Sequence, residues 1–215
     1  MRLIAPAVVI VAAVVVLALG RGAGLPWQPG CTVSDPTGVV LAQGFPEEIS
    51  TIVAAAGADS RADLRDALGA GAAVTCRISA MSPTSDAKEP PLGLTPRAAA
   101  LRAEARDQFG DLSDGGFGPQ TPLPGRNPNG EHSLGRAVDF FFRPADSAAQ
   151  ARDGWRLANW AVANAQRLGV RTVIYRDQIW TARRSIQGWR DYRFSGSDPD
   201  NPINRHLDHV HVDVA

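Results

Sequence analysis

The chain has almost no lysine and no excess of charge of either sign. Its 22 basic residues are 21 arginines and the single Lys88, and 22 acidic residues balance them. From Thr95 onward, 16 arginines stand against 14 acidic residues, which leaves no basic stripe. Proteins that bind nucleic acid or an anionic membrane surface concentrate positive charge, so this balance argues against both partners.

The overall composition is that of an ordinary globular protein. Hydrophobic residues make up 44% of the 215 residues and charged residues 20%, which argues against wholesale disorder. This length is enough for one large domain or two small ones.

The N-terminus begins with one positive residue, Arg2, and an uncharged apolar run from Leu3 to Leu19. Small residues follow the run, as in an export signal. Its 17 residues also reach the lower limit for crossing a bilayer. We therefore expect residues 1–24 to be a cleaved signal peptide or a retained membrane anchor, with a buried helix as the remaining alternative. In the first two cases the rest of the chain works outside the cytoplasm.

The chain has only two cysteines, Cys31 and Cys76. An even count in an oxidising compartment predicts a disulfide between them, and two buried free thiols are the alternative. Residues 25–81 are predicted to form a small helical or mixed unit that needs this bond, because so short a unit buries little surface. Residues 82–94 are rich in proline and are predicted to be a linker.

Residues 95–215 are predicted to form one α+β domain, an antiparallel sheet with a long helix. The helices and strands of both units are predicted from apolar periodicity and from capping residues. Two of the helices and one strand belong to residues 25–81. We expect helices over 46–56, around 64–68, 96–109 and 147–168, and strands over 74–78, 137–142, 170–175, 178–181 and 210–214.

Three of the four histidines lie within six residues, His206, His209 and His211, while His132 precedes the strand that contains Asp139. Imidazole and carboxylate groups are common Zn²⁺ ligands, and three protein ligands with one open position is the catalytic arrangement. His209 and His211 are two residues apart, so in a strand both project from one face. A metal site is therefore favoured over a surface cluster of histidines.

The two clusters form the motifs His132-x-x-Gly-x-Ala-x-Asp139 and Asp208-His209-x-His211. In this order, near the C-terminus, they resemble the VanY-type D-alanyl-D-alanine carboxypeptidase superfamily, which shares its fold with hedgehog domains. The resemblance covers roughly Thr95 to the end. It implies zinc ligands His132, Asp139 and His211 and makes Asp208 the general base. His209 is then a neighbour of the metal ligands or a group that acts on the transition state.

The sequence departs from the family pattern at two places. Gly130 stands where the family often has serine, and the segment 115–118 lacks the arginine that steadies the scissile carbonyl in many members. Arg126, or Arg77 if the first unit covers the cleft, could replace that arginine.

The resemblance thus implies an exported zinc peptidase that cuts at D-amino-acid bonds in the peptide stems of peptidoglycan, as a carboxypeptidase or an endopeptidase. The alternative is an extracellular module that retains the zinc and binds a wall component or a protein without cutting it. In both cases we expect no nucleic-acid partner, and membrane contact only through the N-terminal segment.

Overall fold

The computed structural model describes residues 30–56, 62–78, 88–89, 91–120 and 124–215. The predicted export signal or anchor lies outside the described residues, as do residues 57–61 between the first two predicted helices. Within the described ranges, no helix is both long and apolar enough to cross a membrane.

The N-terminal part is a three-stranded antiparallel sheet that carries two helices. Cys31 lies directly opposite Cys76 on neighbouring strands, and the two form a disulfide, as predicted. Glu48 accepts a hydrogen bond from the Phe45 N–H, which caps the first helix, and Pro46 begins it. The elements are β1 (Gly30–Ser34), β2 (Val40–Gly44), α1 (Pro46–Ala55), α2 (Ala62–Ala70) and β3 (Val74–Arg77), with sheet order β2-β1-β3.

The C-terminal part is a six-stranded sheet packed against helices, and all its strand pairs are antiparallel. The α+β class is confirmed. The elements are α3 (Pro96–Phe109), β4 (Asp114–Gly115), β5 (Ala137–Phe141), α4 (Ala148–Ala163), α5 (Ala165–Leu168), β6 (Val170–Tyr175), β7 (Gln178–Thr181), a 3₁₀ segment (Ala182–Gln187), β8 (Arg190–Asp191) and β9 (His209–Val214), with sheet order β4-β5-β9-β6-β7-β8.

The two faces of this sheet differ in chemistry. On β9, Val210, Val212 and Val214 are fully buried in the apolar core, because they alternate toward the face that carries α4. The intervening residues of β9 point to the opposite face and are polar. That face holds the candidate site.

Asn159 of α4 joins the N-terminal part to the sheet domain. Its side-chain oxygen accepts hydrogen bonds from the backbone N–H groups of Ala73 and Val74, and its amide nitrogen donates to the carbonyls of Leu68 and Gly71. The side chain is fully buried and all its hydrogen-bonding positions are used. The region around β3 is therefore bonded to α4 rather than only tethered by the linker.

Several predicted elements end earlier than expected. The helix predicted over 147–168 is interrupted at Asn164, whose side chain donates to the Trp160 carbonyl and accepts a bond from Ser50. Such side-chain bonds compete with the helical backbone. The strand predicted to reach Phe142 ends at Phe141, because the Phe142 N–H bonds to the Asp208 carbonyl.

Candidate metal centre

The site begins with the pairing of β5 and β9. Asp139 and His211 lie directly opposite each other in the register, so their side chains stand next to each other on the polar face. His211 Nδ1 is 3.0 Å from Asp139 Oδ1. Both residues are buried.

His132 comes to the same carboxylate from the turn before β5. Its Nε2 is 3.3 Å from Asp139 Oδ1. The chain can turn back here because Gly135 adopts a φ of 70°, a conformation that strongly favours glycine. The sequence-predicted ligands His132, Asp139 and His211 are thus brought together, and one potential ligand atom from each lies within 4.8 Å of the others.

Three observations test whether these residues fit a metal ion. Two imidazoles and one carboxylate are a donor set that Zn²⁺ and similar cations use. His132 Nδ1 is buried without a hydrogen-bond partner among the described residues, while its Nε2 faces Asp139. His211 Nε2 lies 3.7 Å from Asp213 Oδ2, and such an outer carboxylate orients a ligating histidine. The three residues therefore fit and could hold a metal ion.

Gly116, in the loop after β4, closes over the ligands. Its φ is 84°, and a Cβ at this position would lie 2.6 Å from His132 Cε1 and 2.7 Å from Asp139 Oδ2. Any side chain would displace one of the two ligands. Sequence reasoning did not assign a function to Gly116.

The only lysine of the chain fixes the loops around His132. Lys88 Nζ donates to the carbonyls of Gly118, Gln120 and Ser133, and so joins the loop after β4 to the turn that carries His132. Lys88 belongs to the stretch predicted as a linker. The C-terminal part of this stretch, which the structure describes, is therefore bonded to the loops around the site.

Asp208 and His209 form a second pair beside the ligands. His209 Nδ1 is 2.8 Å from Asp208 Oδ1, and Arg143 Nε donates to Asp208 Oδ2 at 2.7 Å. This leaves His209 Nε2 directed toward the ligands, 3.9 Å from Asp139 Oδ1. Asp208 lies just before β9, and both of its carboxylate oxygens are engaged by the protein. Its role as general base stays a prediction.

His206 is near the site but outside the group of three. Its ring centre is 4.7 Å from that of His209 and 5.6 Å from that of His211. Burial, together with the charges of His211 and His209, lowers the pKa of His206 to about 3. A neutral His206 adds no positive charge to the site.

The ligands shift each other's protonation. Burial alone would raise the pKa of Asp139, but hydrogen bonds from His132 and His211 hold it far below its usual value. Burial alone would lower the pKa of His211, but hydrogen bonds to Asp139 and Asp213 raise it to about 9. Near neutral pH, therefore, His211 of the metal-free protein carries a proton that a metal ion must displace.

The arginines proposed from sequence lie on segments other than those that carry the metal ligands. Arg126 is exposed in the turn before His132, and Arg77 lies in β3. Arg143, which sequence reasoning missed, bonds to Asp208, and its guanidinium carbon is 4.2 Å from the centre of the Phe141 ring. Its only signal in the sequence is its position directly after the strand of Asp139.

A family model described as "VldE, C-terminal domain" matches residues 91–203, more than half of the chain. The chain belongs to this family. The matched residues include His132 and Asp139 and end before Asp208, so the C-terminal motif lies beyond the VldE match. No curated protein and no solved structure matches the chain. Kinship with the VanY-type peptidases stays a prediction.

Proposed function

We propose that the protein is a zinc-dependent peptidase that acts outside the cytoplasm on the peptide stems of peptidoglycan. The observation that carries the proposal is the convergence of His132 and His211 on Asp139, with the His209–Asp208 pair directly beside them. A purely structural metal site is closed by a fourth protein ligand. Within the described residues the candidate group holds three.

His132, Asp139 and His211 would hold the ion. A bound Zn²⁺ would act as a Lewis acid on the scissile carbonyl and would favour ionisation of water near neutral pH. The remaining work falls to the protein's own groups, which must move protons and orient the peptide.

We assign the proton transfer to His209 rather than to Asp208. His209 has one ring nitrogen bonded to Asp208 and the other directed toward the ligands. This is the arrangement of a general base whose ring is oriented by a carboxylate. Asp208 fixes the tautomer of His209, because its carboxylate accepts a hydrogen bond from the Nδ1–H group. The Nε2 atom then carries no proton and can accept one from water. Burial alone would raise the pKa of Asp208, but hydrogen bonds from His209 and Arg143 lower it, so Asp208 stays ionised in this role.

Arg143 is our candidate for the cation that the segment 115–118 lacks. It is held by Asp208 and by the Phe141 ring, yet more than half of its side chain is exposed, so it can also reach a substrate. A guanidinium offers five N–H donors, and only Nε is used in bonding to Asp208. The remaining donors can stabilise a carbonyl oxygen or a carboxylate of the peptide.

One observation favours the alternative of a binding module that keeps the metal. The loop 115–118 has no arginine, and its Gly116 backbone packs directly on the ligands, where many VanY-type members are expected to place a catalytic cation. In that case the wall peptide would bind without being cut.

Hydrolysis of muropeptides separates the two functions. The purified protein should release products whose masses show a cut at a D-amino-acid bond, and a chelator should abolish the release. His209→Ala should keep the metal and lose about 10²–10⁴-fold in rate, the usual contribution of a positioned base. Asp208→Asn should lose about 10–100-fold, the usual effect of an orienting partner.

If the metal-loaded protein binds muropeptides and cleaves none, the binding-module function is correct. If Asp208→Asn loses about 10²–10⁴-fold in rate while His209→Ala retains most of its activity, the base is Asp208. Exposed Arg65→Ala serves as the control that leaves the rate unchanged.

A further inference from the structure

A second polar region lies on the same face of the sheet as the metal ligands. Asp139 on β5 lies opposite His211 on β9, His211 lies opposite Ile174 on β6, Ile174 lies opposite Ile179 on β7, and Ile179 lies opposite Arg190 on β8. Directly opposed residues project to one face, so these five side chains form a single row across the sheet. Three strand spacings of about 4.8 Å place Arg190 about 14 Å from His211.

The row ends in a cavity of about 460 Å³ beside β7 and β8. Four of its lining residues are arginines and only one is acidic. These charged lining residues are Arg171, Arg183, Arg184, Arg190 and Asp191.

The protein leaves much of this positive charge unpaired. Arg183 and Arg184 are exposed on the 3₁₀ segment, and neither side chain has a hydrogen bond or an ion pair within the described part of the chain. Arg171 lies 3.6 Å from Glu131. Asp191 accepts a bond from Gln178, which leaves it only partly available to the arginines.

Arg190 is held in place with hydrogen-bonding capacity to spare. It donates to Thr181 at 3.0 Å and to Gln187 at 3.4 Å, while its buried Nε has no partner among the described residues. Arg184 and Arg190 line the same cavity, and burial, and then the charge of Arg184, lower the pKa of Arg190. An anion in the cavity would offset their positive charge.

We propose that this cavity binds an anionic group, a carboxylate or a phosphate, carried by the same extended ligand that reaches His211. The inference rests on the proposed function for the identity of that ligand as a peptide. Arginine forks match the geometry of carboxylates and phosphates. Between the two sites, the half-buried Ile179 offers apolar surface at the edge of the cavity, and about four residues of extended peptide span 14 Å. The anionic group therefore lies about four residues from the bond at the metal site.

The test measures equilibrium binding rather than cleavage. The full chain, stripped of metal with a chelator, is titrated with a labelled peptide of stem composition that carries a free side-chain carboxylate four residues from its C-terminus. A second peptide carries the amide at that position. The carboxylate peptide should bind about tenfold tighter, the effect expected for charge-assisted hydrogen bonds.

Arg183→Ala and Arg184→Ala should each reduce this preference, and the double variant should abolish it. Both residues are exposed, so folding is expected to be unaffected, and thermal unfolding of the variants checks this. Arg65→Ala on α2 is the matched control and should keep the full preference. Competition by inorganic phosphate that disappears in the double variant would identify phosphate as a second source of the anion.

Equal binding of the two peptides, together with no competition by phosphate, would overturn the proposal, and so would a loss of preference in Arg65→Ala as large as in Arg184→Ala. Cleavage of muropeptides without a carboxylate preference would leave the proposed function intact and would refute only this site. A carboxylate preference in a protein that cleaves no muropeptide would support this site and refute the proposed peptidase activity.

Discussion

Four of the hydrogen bonds between the N-terminal part and the sheet domain depend on one side chain, Asn159. Replacing it with alanine removes four hydrogen bonds, to the backbone of Leu68, Gly71, Ala73 and Val74. At about 1 kcal/mol per hydrogen bond, Asn159→Ala should lower the free energy of unfolding by about 4 kcal/mol. Typical domains have only about 5–15 kcal/mol in total, so the variant should be marginally stable at 25 °C.

Urea unfolding followed by circular dichroism measures this change, provided the denaturant slope is compared between variant and parent. Asn129→Ala is the control, because Asn129 is exposed in a turn and should change stability by less than about 0.5 kcal/mol. A loss below about 1 kcal/mol for Asn159→Ala would refute the reasoning, since it would mean that β3 and α4 are not held together by these bonds.

Three further predictions concern the site and the disulfide. Gly116→Ala should weaken metal affinity at least tenfold by displacing His132 or Asp139, and its left-handed backbone should also cost the metal-free protein about 1–2 kcal/mol of stability; unchanged affinity by competition with a chromophoric chelator would contradict this. Because the pKa of His211 is raised to about 9, apparent metal affinity should fall about tenfold for each pH unit below 9, and a flat pH profile would show that His211 is not a ligand. Cys31→Ser with Cys76→Ser should cost up to about 4 kcal/mol of stability, the chain-entropy value for a 45-residue separation, as measured by urea unfolding; recovery of both cysteines as alkylated thiols from the parent protein would remove the basis of this prediction.

Local spacing predicted one feature of the candidate site, the shared face of His209 and His211. The two-residue interval between His209 and His211 places both on one face of any strand, and Asp213 continues the same alternation, although its position against His211 Nε2 was not predicted. The direct pairing of Asp139 with His211 joins residues far apart in the chain. Only the resemblance of the two motifs, in this order, to those of the VanY-type peptidases indicated that Asp139 and His211 would meet.

The role of Asp208 could not be predicted from spacing alone. Three residues before His211, it had to lie before the strand or on a bulge in order to reach the site, and β9 does begin only at His209. Its carboxylate is then bound by Arg143, which comes from the segment after β5 and which spacing along the chain does not place there.

Short or exposed elements left little trace in the sequence. Strands β4 and β8 have two residues each, too few for a detectable alternation, and β2 is an edge strand with few buried positions. The arginine-lined cavity was also missed, because Arg171, Arg184 and Arg190 come from three different elements and meet only when β6, β7 and β8 pair.

Metal content tests the central claim of this account most directly. The purified protein, loaded with Zn²⁺ and dialysed, should hold about one ion per chain by elemental analysis, and Ala at His132, Asp139 or His211 should each remove it. His206→Asn is the matched control, because asparagine tolerates the positive φ of 54° at this position, and it should retain the ion. Full zinc occupancy in His211→Ala, or loss of zinc in His206→Asn alone, would contradict the assignment of His132, Asp139 and His211 as the metal ligands.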